Sequence, residues 1–138
     1  MASSLPSTPF VDAIVFCRAI RDESDSGASL IELTDQAVAT SLPAHVPLGL
    51  LISFKHDGRV ARTFPFRMQL TGPGVRGVDQ PDTVALPAGR LGHFIKARLQ
   101  LELHAYGRYV LEVRDSDGVL MGRSAFDLVS ADARPDPS

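Results

Sequence analysis

Closely spaced carboxylates are the residues of this chain with the clearest capacity for chemistry. Asp115-Ser116-Asp117-Gly118 has the form of a calcium loop's opening: hard oxygen ligands two apart, then a glycine for a sharp turn. An EF-hand needs a twelve-residue loop closed by glutamate between two helices. Position twelve from Asp115 is Phe126, and the flanking segments alternate as strands do, so that reading fails. A second arrangement draws acids from separate loops at one end of a sandwich. In it Asp22 and Asp25, with Glu23 between them, would join Asp115 and Asp117 around a calcium ion. The competing reading is a hairpin turn. Asp-Gly between alternating apolar residues signals a hairpin, because glycine accepts positive φ and the Asp side chain caps the turn. The turn is the preferred reading, so neither metal nor cofactor is expected.

The remaining reactive side chains form no constellation. His45, His56, His93 and His104 have neither the i, i+4 spacing of a helical zinc site nor a cysteine pair beside them. Both His56, beside Asp57-Gly58, and His104, at a strand end, read as exposed. "GRSAF" from Gly122 only echoes a nucleophile elbow, and "GPGVRG" from Gly72 lacks the Lys-Ser/Thr of a phosphate-binding loop. Cys17 sits in the most apolar stretch, where a thiol behaves as a small hydrophobe. No catalytic role is expected.

The elements that would position any site repeat with a period of two. "TFPFRMQL" sets Phe64, Phe66, Met68 and Leu70 on one face, and "HFIKARLQLELH" sets Ile95, Ala97, Leu99, Leu101 and Leu103 on one face. Such alternation marks strands with one face in a core and one in water. Strands are expected at 10–20, 29–35, 47–56, 62–71, 93–104, 107–115 and 118–129, about seven in all. Pro65 cannot donate a ladder bond, so its strand is expected at an edge or a bulge. The stretch from Gly72 to Gly92 reads as a long glycine-rich loop, interrupted by a short strand at 83–86. The reading is all-β: a two-sheet antiparallel sandwich over 10–129, between unpacked tails at 1–9 and 130–138.

Tyr109 opens a strand after a glycine turn. There its ring can enter the core while its hydroxyl returns to the incoming loop, as in the tyrosine corner of immunoglobulin-like sandwiches. The order "FVDAIVFCRAIRDE", "YGRYVLEVRDSDG", "VLMGRSAFDLV" resembles a family of uncharacterised bacterial β-sandwich proteins. The resemblance implies an immunoglobulin-like fold; no activity or site residues come with it.

Bulk properties narrow the partners. The chain has 138 residues, enough for one domain, and a net charge of -2 that gives no general pull toward nucleic acid or an anionic membrane. The outward basic residues Arg67, Lys96, Arg98, Arg108 and Arg114 bring no aromatics with them, as a nucleic-acid platform would. No apolar run approaches the roughly 20 residues of a membrane span, no signal peptide is visible, and the lone cysteine suits the cytoplasm. The expected function is a non-enzymatic interaction module that binds another protein or its own copy. The alternative is a small-ligand or carbohydrate-binding sandwich using loops 21–29 and 72–92. Because Ala13 to Cys17 are apolar on both faces, Ile14 or Phe16 is expected to be shielded by a loop or by a second subunit, the latter in a symmetric homodimer and the preferred of the two.

Overall fold

Alternation becomes two packed sheets in the computed structural model, which describes residues 5–24 and 27–132. The strands are β1 (Phe10–Ser24), β2 (Gly27–Leu33), β3 (Gln36–Ala39), β4 (Ala44–Lys55), β5 (Arg62–Gly72), β6 (Val75–Leu86), β7 (Gly92–Leu103), β8 (Gly107–Asp115) and β9 (Leu120–Ser130). One sheet has the order β2-β1-β4-β7 and the other β3-β9-β8-β5-β6, and one of the two curls into a half-barrel. The described residues include no helix, hence none long and apolar enough to cross a membrane. Residues 1–4 and 133–138 of the expected tails lie outside the description; β9 runs to Ser130, and Pro9 is buried just ahead of β1.

Among the described residues nine strands replace the expected seven. The two additions to that count are β3, too short to show a pattern, and β6, which extends the short strand expected at 83–86 over most of the expected 72–92 loop. In β6, Val84 and Leu86 are buried while Thr83 and Ala85 are exposed, so the period of two is present at one end. Pro81 interrupts the sequence pattern but is tolerated because β6 ends its sheet. The sheets are not wholly antiparallel either, since β3 runs parallel to β9. Pro65 lies in β5, an interior strand; it sits one residue beyond the pairing with β8, which begins at Phe66.

The core lies between the sheets. Phe16 packs edge-on to Phe126 with ring centroids 5.2 Å apart, Tyr109 stacks on Phe126 at 5.5 Å, and Phe54 meets Phe66 at 4.9 Å. Each such side chain removed from water contributes roughly 1.5–3 kcal/mol. The Tyr109 hydroxyl donates to the Ala105 carbonyl at 2.6 Å, so this fully buried ring carries a satisfied polar end.

Around Phe16, Cys17 and Ile20 the first strand is covered on both faces by its own chain. Phe16 is 3% exposed within the main core, and Ile14 packs against that core. The expectation that these two residues form an interface is therefore corrected: they point between the sheets, toward β9. A shift of register at Asp12 brings Ile14 and Phe16 onto the same inner side as Val11. On the outer side Cys17, Ile20 and Leu51 make a second small cluster with Ala28, Leu30 and Phe94. Gly49 permits it, because a Cβ there would stand 2.6 Å from Cys17 Sγ and 2.9 Å from Ile20 Cγ1. Arg98 Nη2 closes the contact by donating to the Ile20 carbonyl at 3.0 Å.

Candidate binding groove

The folding of β1 over Gly49 has a consequence for β4. Pairing between β1 and β4 ends at Cys17 opposite Gly49, while β4 continues back to Ala44. Ala44–Leu48 is thus paired with β7 alone. In the facing sheet β3 is terminal and pairs with β9 alone. Residues 40–43 join these two half-paired strands, and a groove of about 310 Å³ opens beside them, lined among others by Arg18, Glu32, Thr34, Val38, His45 and Pro47.

Local hydrogen bonds hold its walls. Thr34 Oγ1 accepts from the Gln36 amide at 3.1 Å and donates to the Gln36 carbonyl at 2.7 Å, turning the chain from β2 into β3. The Thr34 amide donates to the Phe16 carbonyl, and Asp127 and Ala131 amides donate to Asp35 and Ala39 carbonyls. Arg18 Nε lies 2.9 Å from Glu32 Oε2, and both side chains are largely exposed, so the pair orients charge more than it stabilises. Glu32 has φ 57°, a left-handed conformation that costs a non-glycine residue about 1–2 kcal/mol. Val38 in the groove, with Leu33 and Leu42 in the flanking segments, is an exposed large apolar residue. Chemically, the groove offers unpaired strand edges, apolar contacts and charges of both signs. The Thr34 hydroxyl is already engaged, so among the described residues the groove holds no free nucleophile beside a base.

The Asp115 cluster forms a turn. Asp115 Oδ1 accepts from the amides of Asp117 and Val119, each at 2.9 Å, and the Gly118 amide donates to the Asp115 carbonyl at 3.0 Å. Arg114 Nη1 donates to the Gly118 carbonyl at 2.9 Å. Asp25 and the side chain of Asp22 fall outside the described residues. Among the described residues no group of three His, Cys, Asp or Glu side chains is placed to hold a metal.

The outer face of the five-stranded sheet is neutralised from within. Arg67 makes a two-pronged pair with Asp79, at 2.9 and 3.1 Å, and Arg108 with Asp127, at 2.9 and 3.2 Å. Those hydrogen bonds hold both carboxyls below the usual carboxylate range and raise both guanidinium groups. Arg114 reaches both Gln69 and Glu112 at 3.2 Å. Such a ladder reads as a solvated face.

Two residues depart from expectation or bear on reactivity. His56 is fully buried rather than exposed, because the period of β4 continues past Lys55 and turns the ring inward; neither ring nitrogen has a hydrogen-bond partner among the described residues. Burial pushes the Cys17 thiol up, against a smaller opposing effect of a backbone hydrogen bond at Ala19, which keeps it protonated and a poor nucleophile. A wider depression of about 610 Å³ borders Phe10, Asp12, Lys55, Asp57 and Leu91, but its charges are spent locally, Lys55 on Asp12 at 3.0 Å and Asp57 on the Arg59 amide. The 21–29 and 72–92 segments expected as ligand loops are largely strand. No sequence signal announced the groove, since it arises from where one pairing register stops.

No family model and no curated protein matches the chain. Among solved structures, a β-glucosidase from Listeria innocua is similar with a TM-score of 0.51 and 13% identity, over 71% of this chain and 15% of that one. A mutant form of that enzyme in complex with laminaribiose gives 0.51 and 12%, over 85% and 16%. The alkylpurine DNA glycosylase AlkC of Pseudomonas fluorescens, bound to DNA containing an abasic site analogue, gives 0.49 and 15%, over 68% and 27%. The two glucosidase matches establish likeness of fold, and the chain corresponds to a small part of that enzyme.

Proposed function

We propose that the chain is a non-enzymatic, immunoglobulin-like interaction module that takes an extended segment of a partner protein along the groove beside β3 and β4. Three features support the fold reading. β1, β4 and β7 follow the order of strands A, B and E, while β5, β8 and β9 follow C, F and G. Tyr109, early in the F-like strand, bonds back to Ala105 as a tyrosine corner does. β2, β3 and β6 then extend that frame. The lone, buried Cys17 supports a cytoplasmic location.

The observation that carries the binding reading is the half-paired backbone of Ala44–Leu48, next to the half-paired β3. Carbonyls along an open edge, and the amides of its residues other than Pro47, are matched by water or by another extended backbone, which gives strand addition its affinity. Val38 supplies an apolar contact, and the Arg18–Glu32 pair favours a segment that alternates apolar and polar residues. Random peptides selected on the immobilised full chain test this. Selected peptides are expected to protect amides within Ala44–Leu48 from hydrogen exchange and to bind Val38→Arg about tenfold or more weakly. Failure to select any binder, or protection confined to other strands, overturns the reading.

A further inference from the structure

Two strands at each sheet's ends determine how the molecule meets its surroundings: β2 and β7 in one sheet, β3 and β6 in the other. Three of these edges are blunted. β3 has 4 residues, β6 carries Pro81, and β2 bends at the left-handed Glu32. β7 differs. Its 12 residues lie opposite β4 in an unbroken register, with neither proline nor bulge. A long, regular edge, unbroken by proline or bulge, is a template for another strand.

The outward side chains of β7 decide which strand. After Phe94, which packs on the outer cluster, they are Lys96, Arg98 (which also donates to the Ile20 carbonyl), Gln100 and Glu102, with basic residues toward one end and the acid at the other. Such a gradient complements itself when reversed. We propose that two copies of the chain join β7 to β7, antiparallel about a two-fold axis, with Leu99 opposite Leu99 of the second copy. In that register each Lys96 faces Glu102 and each Arg98 faces Gln100, while Ile95 faces Leu103 and Ala97 faces Leu101 on the core side. Directly opposed unlike charges stabilise an antiparallel pair and like charges destabilise it. The register with Arg98 opposite Arg98 overlaps further but opposes two guanidinium groups. The one with Arg98 opposite Glu102 keeps a complementary charge over a shorter overlap. The two four-stranded sheets become one sheet of eight (four from each copy), and the shared patch is isologous, as a closed dimer requires. The inference goes beyond the groove: β7 lies on the other side of β4, so the dimer leaves Ala44–Leu48 open.

Light scattering on the full chain is the first test, with an expected mass of twice the 14.8 kDa of one chain. Lys96→Glu and Glu102→Lys each place like charges opposite each other at both ends of the pairing, so each variant alone is expected to dimerise about tenfold more weakly or worse. Mixing the two variants again sets a carboxylate opposite an ammonium at both ends of the pairing, and a heterodimer of parental strength is expected. Circular dichroism confirms that each variant retains the fold. A parent chain that stays monomeric at about millimolar concentration overturns the proposal. So does a dimer that either single change leaves intact, or a mixture that fails to pair.

Discussion

Two Asp-Gly reversals in this molecule follow the ends of buried strands, and they are built differently. Asp117-Gly118 closes the β8–β9 hairpin; Asp57-Gly58 begins the crossing from β4 to β5. Both glycines are left-handed, with φ of 83° and 76°. In the hairpin all the support is local: Asp115 Oδ1 holds two amides within four residues, and a Cβ on Gly118 would meet nothing within 4 Å. In the crossing, Asp57 Oδ1 holds one amide, that of Arg59, and the rest of the support comes from a distant segment. The Gly89 amide donates to the Gly58 carbonyl at 2.8 Å, the His56 amide donates to the Leu91 carbonyl at 2.7 Å, and a Cβ on Gly58 would stand 2.9 Å from the Arg90 carbonyl oxygen. The same dipeptide serves one turn by its own chemistry and the other by tertiary contact.

Substitution separates the two. Gly58→Ala meets both the left-handed penalty and a backbone oxygen, so a loss of roughly 2–4 kcal/mol is expected from chemical denaturation. Gly118→Ala meets the conformational penalty alone, about 1 kcal/mol. Equal losses would remove the distinction between the reversals. Asp115→Ala comes next: it deletes an oxygen that serves two exposed amides, with an expected cost of about 1–2 kcal/mol. Asp57→Ala, with one such bond, should cost less, and the reverse order would count against the local account of the hairpin.

The contrast also explains what the sequence could disclose. The Asp115 turn, the β7 strand and the Tyr109 hydrogen bond were legible because each depends on neighbours a few residues away or on strict alternation. β6 was legible only at its end, the short strand expected at 83–86, since Gly77 and Pro81 break its pattern and only its pairing with β5 makes the rest a strand. The inward turn of Ile14 and Phe16 was hidden because their face depends on the register shift at Asp12. The groove was hidden for a related reason: the end of pairing at Gly49 is a property of how β1 bends, and no spacing of residues encodes it locally.

His56 sharpens the comparison further, for it is the buried residue beside the tertiary reversal. A buried polar group with no partner loses its hydration without return, whereas an apolar side chain of similar volume fills the same space. His56→Leu is therefore expected to leave stability unchanged or raise it by up to about 1 kcal/mol, read as the urea midpoint at constant slope. A loss of about 2 kcal/mol or more would mean that the imidazole contributes a polar contact to the crossing.

The smallest effect is expected at the acidic cluster of the hairpin turn. Were Asp115 and Asp117 calcium ligands, the ion would bind the native state and not the unfolded chain, and saturating calcium would raise the melting temperature. A ligand oxygen for a hard cation must be free to face it. Asp115 Oδ1 instead accepts from two amide nitrogens at 2.9 Å, and Arg114 Nη1 donates to the neighbouring Gly118 carbonyl, placing a positive charge on the turn. Millimolar calcium should accordingly leave the melting temperature of the parent and of Asp117→Asn unchanged. A rise in the parent that Asp117→Asn abolishes would make this turn a metal loop and end the contrast with Asp57-Gly58.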